Sequence, residues 1–329
     1  MASTLLAAVL DRKGYIVGDS NASSGLHWLD NPGMPGEASS WSHAGWSNVR
    51  CFGFDVRRAA DELTVYLAAG NGILEGRSRQ RWRVKTDWRV TEVLDVVVAE
   101  GSGADVIVCG TAYGPVVSMD LGRTWESRND GLTEFGTSAT YVSSAIAVEG
   151  SDRLVIGTED GLFAADLGGS DRWRRLGPRR ASVRCIVADP LNPTRILAAT
   201  DGDGLLTSSD AGATWNTRLP GEILYTVCCS PIESGFVACA GIESRIWYSS
   251  DAGDTWRSLS APDSDIGFHA MGFDPDSSQV LWVGTTDAGV FRVDLVSGRW
   301  TFAGLADASI RKLAFIDSHV FEKFANGLA

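Results

Sequence analysis

An eight-residue motif, Ser-x-Asp-x-Gly-x-Thr-Trp, occurs three times in this chain and constrains its fold more than any other feature. The copies span residues 118–125, 208–215 and 249–256, with five of the eight positions identical. The Asp carboxylate can accept backbone N–H bonds, and the Gly can adopt a backbone conformation closed to other residues. The Trp supplies a large apolar ring that packs beneath the turn. Each copy therefore predicts a tight turn between two strands.

The motif resembles the Asp box, or bacterial neuraminidase repeat, of sialidases, sortilin-type receptors and the photosystem assembly factor family. In those families the box closes the outer hairpin of a β-propeller blade, away from the ligand face. The resemblance therefore implies a fold and assigns no activity. Sialidases also use three arginines for a substrate carboxylate. No Arg-Ile-Pro motif occurs here and the Tyr–Glu nucleophile pair cannot be mapped, so we do not expect classical sialidase activity.

Tryptophans recur at about the spacing of a four-stranded blade. They stand 41 to 54 residues apart, at Trp28, Trp82, Trp125, Trp173, Trp215, Trp256 and Trp300. An apolar run begins each unit, one more run at 310–315 follows the last Trp, and the N-terminus starts partway through a unit. We therefore expect a single all-β domain, residues 1–329. It should form a seven-bladed β-propeller whose N- and C-terminal strands complete one blade and remove exposed sheet edges.

Charge, apolar content and cysteine content limit the binding partners and the compartment that we expect for this chain. The net charge of −12 argues against nucleic acid and anionic membrane surfaces, and no apolar run is long enough to span a bilayer. The six cysteines lie in apolar strand-like runs without Cys-x-x-Cys spacing. We interpret them as buried thiols, which favours a cytoplasmic protein.

Polar residues near the starts of the inner strands form the main candidate site. Aligning the runs that begin with Val49-Arg-Cys, Val183-Arg-Cys and Phe268-His-Ala predicts a ring around the propeller axis. Three guanidiniums, a phenol and an imidazole gathered there would suit a carboxylate, phosphate or other oxyanion. The alternative is that such arginines only hydrogen-bond carbonyls along the channel. The predicted ring contains Arg50, Leu94, Ser143, Arg184, Tyr225, His269 and Arg311.

Turns after the second strand of each blade should share that face of the propeller. They contribute Tyr113 and the carboxylates Glu159, Asp201 and Asp287, which serve either as acid–base groups or as solvated turn residues. Asp201 and Asp203 lack further oxygen ligands at defined spacing, so we predict no metal site.

The longest connection between units, residues 30–48, carries three ring-bearing residues among Gly, Ser and Pro. Trp41, His43 and Trp46 could cover the funnel or stack on a ligand ring. Packing on a neighbouring loop is the equally weighted alternative.

Two functions remain after these exclusions, because propellers host many unrelated roles. The first is a cytosolic enzyme without metal, nucleotide or other cofactor, acting as a lyase or cyclase or on glycans. It would use His269, Tyr225 and Arg184 as catalytic groups and the other residues named above to bind a polar or anionic small molecule. The second is a non-catalytic binding or assembly scaffold for protein or glycan. A deep funnel with convergent ionisable groups would favour the first, and a broad exposed patch the second.

Overall fold

The computed structural model describes residues 2–12, 24–32, 40–45, 49–59, 62–100, 105–166, 172–177 and 180–327. These residues form seven four-stranded antiparallel sheets, confirming the predicted seven-bladed propeller. Strands are numbered in chain order. Blade 1 contains, from the axis outward, β28 (Ala308–Asp317), β1 (Ser3–Arg12), β2 (Gly25–Asp30) and β3 (Ser42–His43).

The other six blades each run from the innermost to the outermost strand along the chain. Blade 2 contains β4 (Cys51–Ala59), β5 (Glu62–Ala69), β6 (Gly72–Ser78) and β7 (Arg81–Val84). Blade 3 contains β8 (Val93–Glu100), β9 (Asp105–Thr111), β10 (Gly114–Ser118) and β11 (Glu126–Ser127). Blade 4 contains β12 (Val142–Ala147), β13 (Arg153–Thr158), β14 (Gly161–Asp166) and β15 (Arg174–Leu176).

Blade 5 contains β16 (Val183–Asp189), β17 (Asn192–Thr200), β18 (Leu205–Ser208) and β19 (Asn216–Arg218). Blade 6 contains β20 (Leu224–Cys229), β21 (Val237–Gly241), β22 (Arg245–Ser249) and β23 (Arg257–Ser260). Blade 7 contains β24 (Phe268–Asp274), β25 (Ser277–Thr285), β26 (Val290–Asp294) and β27 (Arg299–Gly304).

Three short helices complete the described chain: a 3-10 helix (Thr133–Phe135), α1 (Thr137–Thr140) and α2 (Ser318–Asn326). No helix in these described ranges combines the length and apolarity that a bilayer-crossing segment needs.

Pairing between the two ends of the chain closes the ring, as predicted. β1 pairs antiparallel with β28 from Ser3↔Asp317 to Arg12↔Ala308. Each inner strand contacts the inner strands of both neighbouring blades, β28 and β4 included. Within the described chain, seven apolar clusters fill the seven interfaces between adjacent blades. Burial of apolar surface between blades therefore holds the ring together.

The three repeated motifs form the same hydrogen-bonded turn. In the first, the Asp120 carboxylate accepts the Thr124 amide at 2.8 Å and the Thr124 hydroxyl at 2.7 Å. The Ser118 hydroxyl donates to the same carboxylate and accepts the Gly122 amide at 2.7 Å. The second and third copies repeat these bonds, and the Gly of each copy has a positive φ between 78° and 89°. Side chains thus satisfy turn donors that would otherwise need water.

Four tryptophans connect neighbouring blades through their indole N–H groups. Each donates to a backbone carbonyl on or just after the outermost strand of the preceding blade. The bonds are Trp41 to Ala303 (2.7 Å), Trp82 to Ala44 (2.7 Å), Trp125 to Lys85 (3.0 Å) and Trp173 to Arg128 (2.8 Å).

This pattern corrects one position in the predicted series of blade-ending tryptophans. Trp28 lies in β2, the third strand from the axis, and its indole bonds within blade 1 to Asp30 at 3.2 Å. Trp41 directly precedes the outermost strand β3 and makes the bond to the preceding blade. Trp41 is therefore the blade-1 counterpart of Trp82 and Trp125.

Helix α2 seals the outer seam between blades 1 and 2 and was not predicted from the sequence. The Asp317 carboxylate caps its N-terminus by accepting the His319 and Val320 amides. Its Phe321 ring meets Trp28 edge-on at 5.5 Å between centroids, and Phe324 meets Trp82 at 5.9 Å. Aromatic contacts from one short helix thus join both blades.

We expect Phe324→Ala to lower the free energy of unfolding by about 3–5 kcal/mol, because it opens a cavity at a side chain that is only 1% exposed. Phe302→Ala is the matched control, since that ring lies on β27 and is 52% exposed. Urea unfolding monitored by fluorescence measures both. Equal losses in the two variants would show that α2 adds nothing at the seam.

We expect the motif carboxylates to stabilise the fold at neutral pH and to lose this effect in acid. Bonds from the Thr214 and Thr255 hydroxyls and amides hold the pKa of Asp210 and Asp251 at about 2. Because an unfolded Asp titrates near ~3.9, their contribution is complete above roughly pH 4 and falls away towards pH 2. The melting temperatures of wild type and the Asp210→Asn/Asp251→Asn double variant should therefore converge over that range. A constant difference down to pH 2 would contradict this account.

Candidate functional site

Seven inner strands share one local irregularity, a β-bulge near the end that begins the strand. In β16, for example, Val183 pairs with Thr200 and Cys185 with Ala199, so Arg184 is left unpaired between them. The bulge recurs at the equivalent point of every inner strand. Bulges re-aim a side chain away from the regular pleat. The seven bulged residues, which we call the bulge ring, are Phe52, Leu94, Ser143, Arg184, Tyr225, His269 and Arg311.

The bulge ring lines an open cavity on the propeller axis. With Tyr141 it encloses about 310 Å³. Six of the seven members are the residues predicted from the sequence, and the structure brings them together around one funnel.

Arg50 is the exception, and its alignment is corrected by two residues. Phe52 occupies the bulge, because Cys51 pairs with Ala69 and Gly53 with Ala68. Arg50 precedes β4, is exposed, and places its guanidinium 5.6 Å from the centroid of the Phe52 ring. The shared letters Val-Arg-Cys align residues 49–51 with 183–185, whereas the bulge of β4 falls at Phe52 and that of β16 at Arg184.

Arg184, Tyr225 and His269 form a stack along one side of the funnel. The Arg184 guanidinium lies 5.6 Å from the Tyr225 ring centroid, and Tyr225 stacks on His269 at 5.1 Å with an interplanar angle of 3°. Asp201 pairs with Arg184 at 2.5 Å. Asp201 thus reaches the site through Arg184 and compensates its charge.

His269 is a neutral imidazole in this site. Burial lowers its pKa to about 3, with further lowering from the positive charges of Arg311 and Arg184. At neutral pH the ring is therefore unprotonated and can donate or accept a hydrogen bond as a neutral group.

Arg311 is a cation without a matching carboxylate in the described chain. Its buried Nε has no hydrogen-bond partner among the described residues. Burial lowers its pKa, and Arg50 and Arg184 lower it further, while Asp11 and Tyr141 act in the opposite direction. An orphaned buried donor of this kind costs free energy until an acceptor reaches it.

The remaining rim residues have structural contacts or lie in solvent. The Tyr113 hydroxyl bonds the Thr91 amide at 2.6 Å and the Thr91 carbonyl at 2.7 Å, tying its turn to the preceding loop. Glu159 and Asp287 are exposed, and neither lines the cavity. The Ser143 hydroxyl lies 2.6 Å from the Val183 carbonyl in the next blade. Tyr113 and Ser143 thus each tie neighbouring segments of the propeller together through their hydroxyl groups.

The structure places Trp41 and His43 of the 30–48 connection away from the funnel. The indole of Trp41 bonds blade 7 and packs in the apolar cluster between blades 7 and 1. His43 lies on the outermost strand β3 and bonds the Ser24 carbonyl at 3.0 Å. Their expected role as a cover is therefore corrected to packing between elements. Trp46 lies outside the described residues.

A second cavity of about 460 Å³ continues along the axis beyond the bulge ring and was missed from the sequence. All seven ring residues also line this cavity, so the ring is the wall that the two spaces share. Its further charged lining residues are Asp55, Asp95 and Lys312. Asp95 and Lys312 directly follow ring residues on their strands, so the alignment that predicts the ring could also have identified them. In the described residues, no group of three or more His, Cys, Asp or Glu is placed to hold a metal ion.

Comparisons with known proteins identify the fold. The chain is similar to an ancestral GH74 enzyme, with a TM-score of 0.55 and 15% identity over 80% of this chain and 38% of the other. It is also similar to the GH74 xyloglucanase from Xanthomonas campestris, with a TM-score of 0.57 and 19% identity over 76% and 45%. The chain thus spans less than half the length of either protein. No family model and no curated protein matches it, so the Asp-box resemblance rests on the three turns themselves.

Proposed function

We propose that this protein binds a small anionic molecule, carrying a carboxylate or phosphate, in the axial funnel. The observation that carries the proposal is Arg311, the ring guanidinium with an orphaned Nε and no carboxylate partner in the described chain. Arg184 already has Asp201, and Arg50 is exposed. An oxyanion is the acceptor that a guanidinium fits best, because two parallel N–H groups can bind two oxygens.

The surroundings of Arg311 would strengthen such a contact. Phe52, Tyr141, Tyr225 and His269 place ring surfaces around the cavity, and the Arg311 Nε itself is buried. A charged hydrogen bond is stronger in such a low-dielectric environment. The volume of about 310 Å³ lies at the small end of ligand pockets, which favours a metabolite-sized ligand over a polymer.

Catalysis is a second candidate, favoured by the neutral His269 beside the anion-binding groups. A bound anion would offset the charges of Arg311 and Arg184 and raise the pKa of His269 towards the operating pH, which a general base in a lyase or cyclase requires. The likeness to two GH74 enzymes adds glycans to the possible substrates through fold analogy alone. The six cysteines, buried or half-buried and free of disulfides across the described chain, support a cytoplasmic setting for either role.

A non-catalytic scaffold is the alternative, with the funnel serving only recognition. Measuring turnover of a bound ligand distinguishes the catalytic function from the scaffold function. Loss of turnover in His269→Gln with ligand binding retained would support catalysis, whereas binding without turnover of any bound ligand would support the scaffold.

We expect Arg311→Met to weaken anion binding by about 10- to 100-fold, the loss of a charge-assisted hydrogen bond worth about 1.5–3 kcal/mol. Titration calorimetry with inorganic phosphate and with mono- and dicarboxylates of two to six carbons measures this loss. Thermal stability should hold or rise, since an uncompensated cation is removed. Arg299→Met is the charge-matched control on an exposed side chain. Equal affinity in both variants, or tight binding of neutral oligosaccharides that ignores Arg311, would reject the anion site.

We also expect anion binding to raise the pKa of His269 from its value of about 3, since a negative ligand charge offsets the effects of Arg311 and Arg184. Nitrogen-15 NMR titration of the imidazoles with and without ligand measures the shift. His27 is the internal control, because its pKa is also lowered to about 3 but it lies on β2 in blade 1. A shift of His27 alone, or of neither ring, would place the anion elsewhere.

A further inference from the structure

The second axial cavity adds carboxylates to the guanidiniums of the ring that it shares with the funnel. Beyond the bulge ring, two carboxylates, Asp55 and Asp95, face a single ammonium, Lys312. The Lys312 Nζ lies 3.6 Å from the Asp95 carboxylate. The three groups together carry one negative charge more than positive when all are ionised.

Backbone bonds fix both carboxylates in place. Asp55 accepts the Val98 amide at 2.8 Å, and Asp95 accepts the Ala145 amide at 3.0 Å, each from the next blade. Because these amides are neutral, they orient the carboxylates without cancelling their charge. Burial raises the pKa of Asp55, which is the response of a carboxylate with too little positive charge nearby.

The two charge layers lie on consecutive residues of the closing strand. Arg311 belongs to the bulge ring and Lys312 follows it on β28, yet they respond to different neighbours. Arg50 and Arg184 lower the pKa of Arg311 and Asp11 raises it, whereas Asp95 and Asp55 raise the pKa of Lys312. Along the axis, the Arg311 guanidinium, whose Nε has no partner among the described residues, is therefore followed by two carboxylates and one ammonium.

Gly53 keeps space beside these groups. A Cβ at this position would stand 3.1 Å from the Asp95 carboxylate and 3.8 Å from Lys312 Cδ. Apart from the bulge ring and these three charged groups, the residues that line the second cavity are small or apolar. Ser144, Cys185 and Thr226 each directly follow a ring residue, as Gly53 does. The second cavity is thus open enough for a compact group next to its carboxylates.

We infer that the ligand is zwitterionic, with its anionic group at Arg311 and an ammonium group that passes the bulge ring to reach Asp55 and Asp95. This inference rests on the proposed anion site and adds the second pole of the ligand. An ammonium beside two oriented carboxylates gains charge-assisted hydrogen bonds, which a plain carboxylate ligand cannot make. The ligand class is therefore a short amino acid with separated charges.

Calorimetry with two matched series tests this inference on the full chain. The first series is ω-amino carboxylates from glycine to 6-aminohexanoate, and the second is the corresponding carboxylates without the amino group. We expect the amino group to raise affinity at least tenfold at one chain length. Asp55→Asn and Asp95→Asn should abolish this gain and leave the plain carboxylates unaffected, because Asn removes the negative charge and keeps one of the two oxygens that accept backbone amides.

Two further variants keep the test decisive if either Asn variant fails to fold. Lys312→Met retains both carboxylates and removes the competing ammonium, so the gain from the amino group should increase. Gly53→Ala narrows the space without changing charge, so the gain should fall.

Each outcome separates this inference from the proposed function. Plain carboxylates that bind through Arg311, with no gain from the amino group at any length, would overturn the zwitterion and leave the anion site. Alkylamines that bind as tightly as the amino carboxylates, independently of Arg311, would also overturn it. Failure of both series to bind would reject the anion site itself.

Discussion

Pairing between β1 and β28 is the interaction on which the rest of this structure depends. A propeller blade cannot bury both faces alone, and the ring removes this problem only when its last sheet is complete. Here one blade draws its innermost strand from the far end of the chain. The same strand carries Arg311 and Lys312, so the pairing that closes the fold also completes both charge layers on the axis. Ligand binding should therefore stabilise ring closure, since the site does not exist without it.

The periphery and the axis of the molecule follow different physical rules. At the periphery, motif turns, indole bonds between blades and helix α2 satisfy donors and bury aromatic surface. Asp210 and Asp251 each have a hydroxyl and an amide donating to their carboxylates. On the axis, Arg311 lacks an acceptor in the described chain. Other buried polar atoms of the described chain also lack partners, but Arg311 is the one whose residue lines the axial cavity, where a ligand can complete its bonding.

Sequence reasoning succeeded where one short pattern repeats and failed where blades deviate from it. The motif turns and the Trp spacing led to seven blades, and the final apolar run led to ring closure. Arg50 was misaligned because residues 49–51 and 183–185 share the letters Val-Arg-Cys although the two bulges fall at different points of those letters. Trp28 was assigned the blade-ending place that Trp41 holds, because blade 1 has a long connection and an outermost strand of two residues. Lys312 and Asp95 were passed over because each is a single charge in an apolar run, and only the closed ring brings them together.

The repeated bulge has a consequence for how this molecule can change. A bulged residue is left out of the strand ladder, so its side chain is less constrained by pairing than its neighbours on either side. The seven ring positions already hold Phe, Leu, Ser, Arg, Tyr, His and Arg on one common backbone geometry. Exchanging a ring residue therefore alters the chemistry at the axis without removing a hydrogen bond of the strand ladder. Ligand preference and strand pairing thus depend on different residues of the same inner strand.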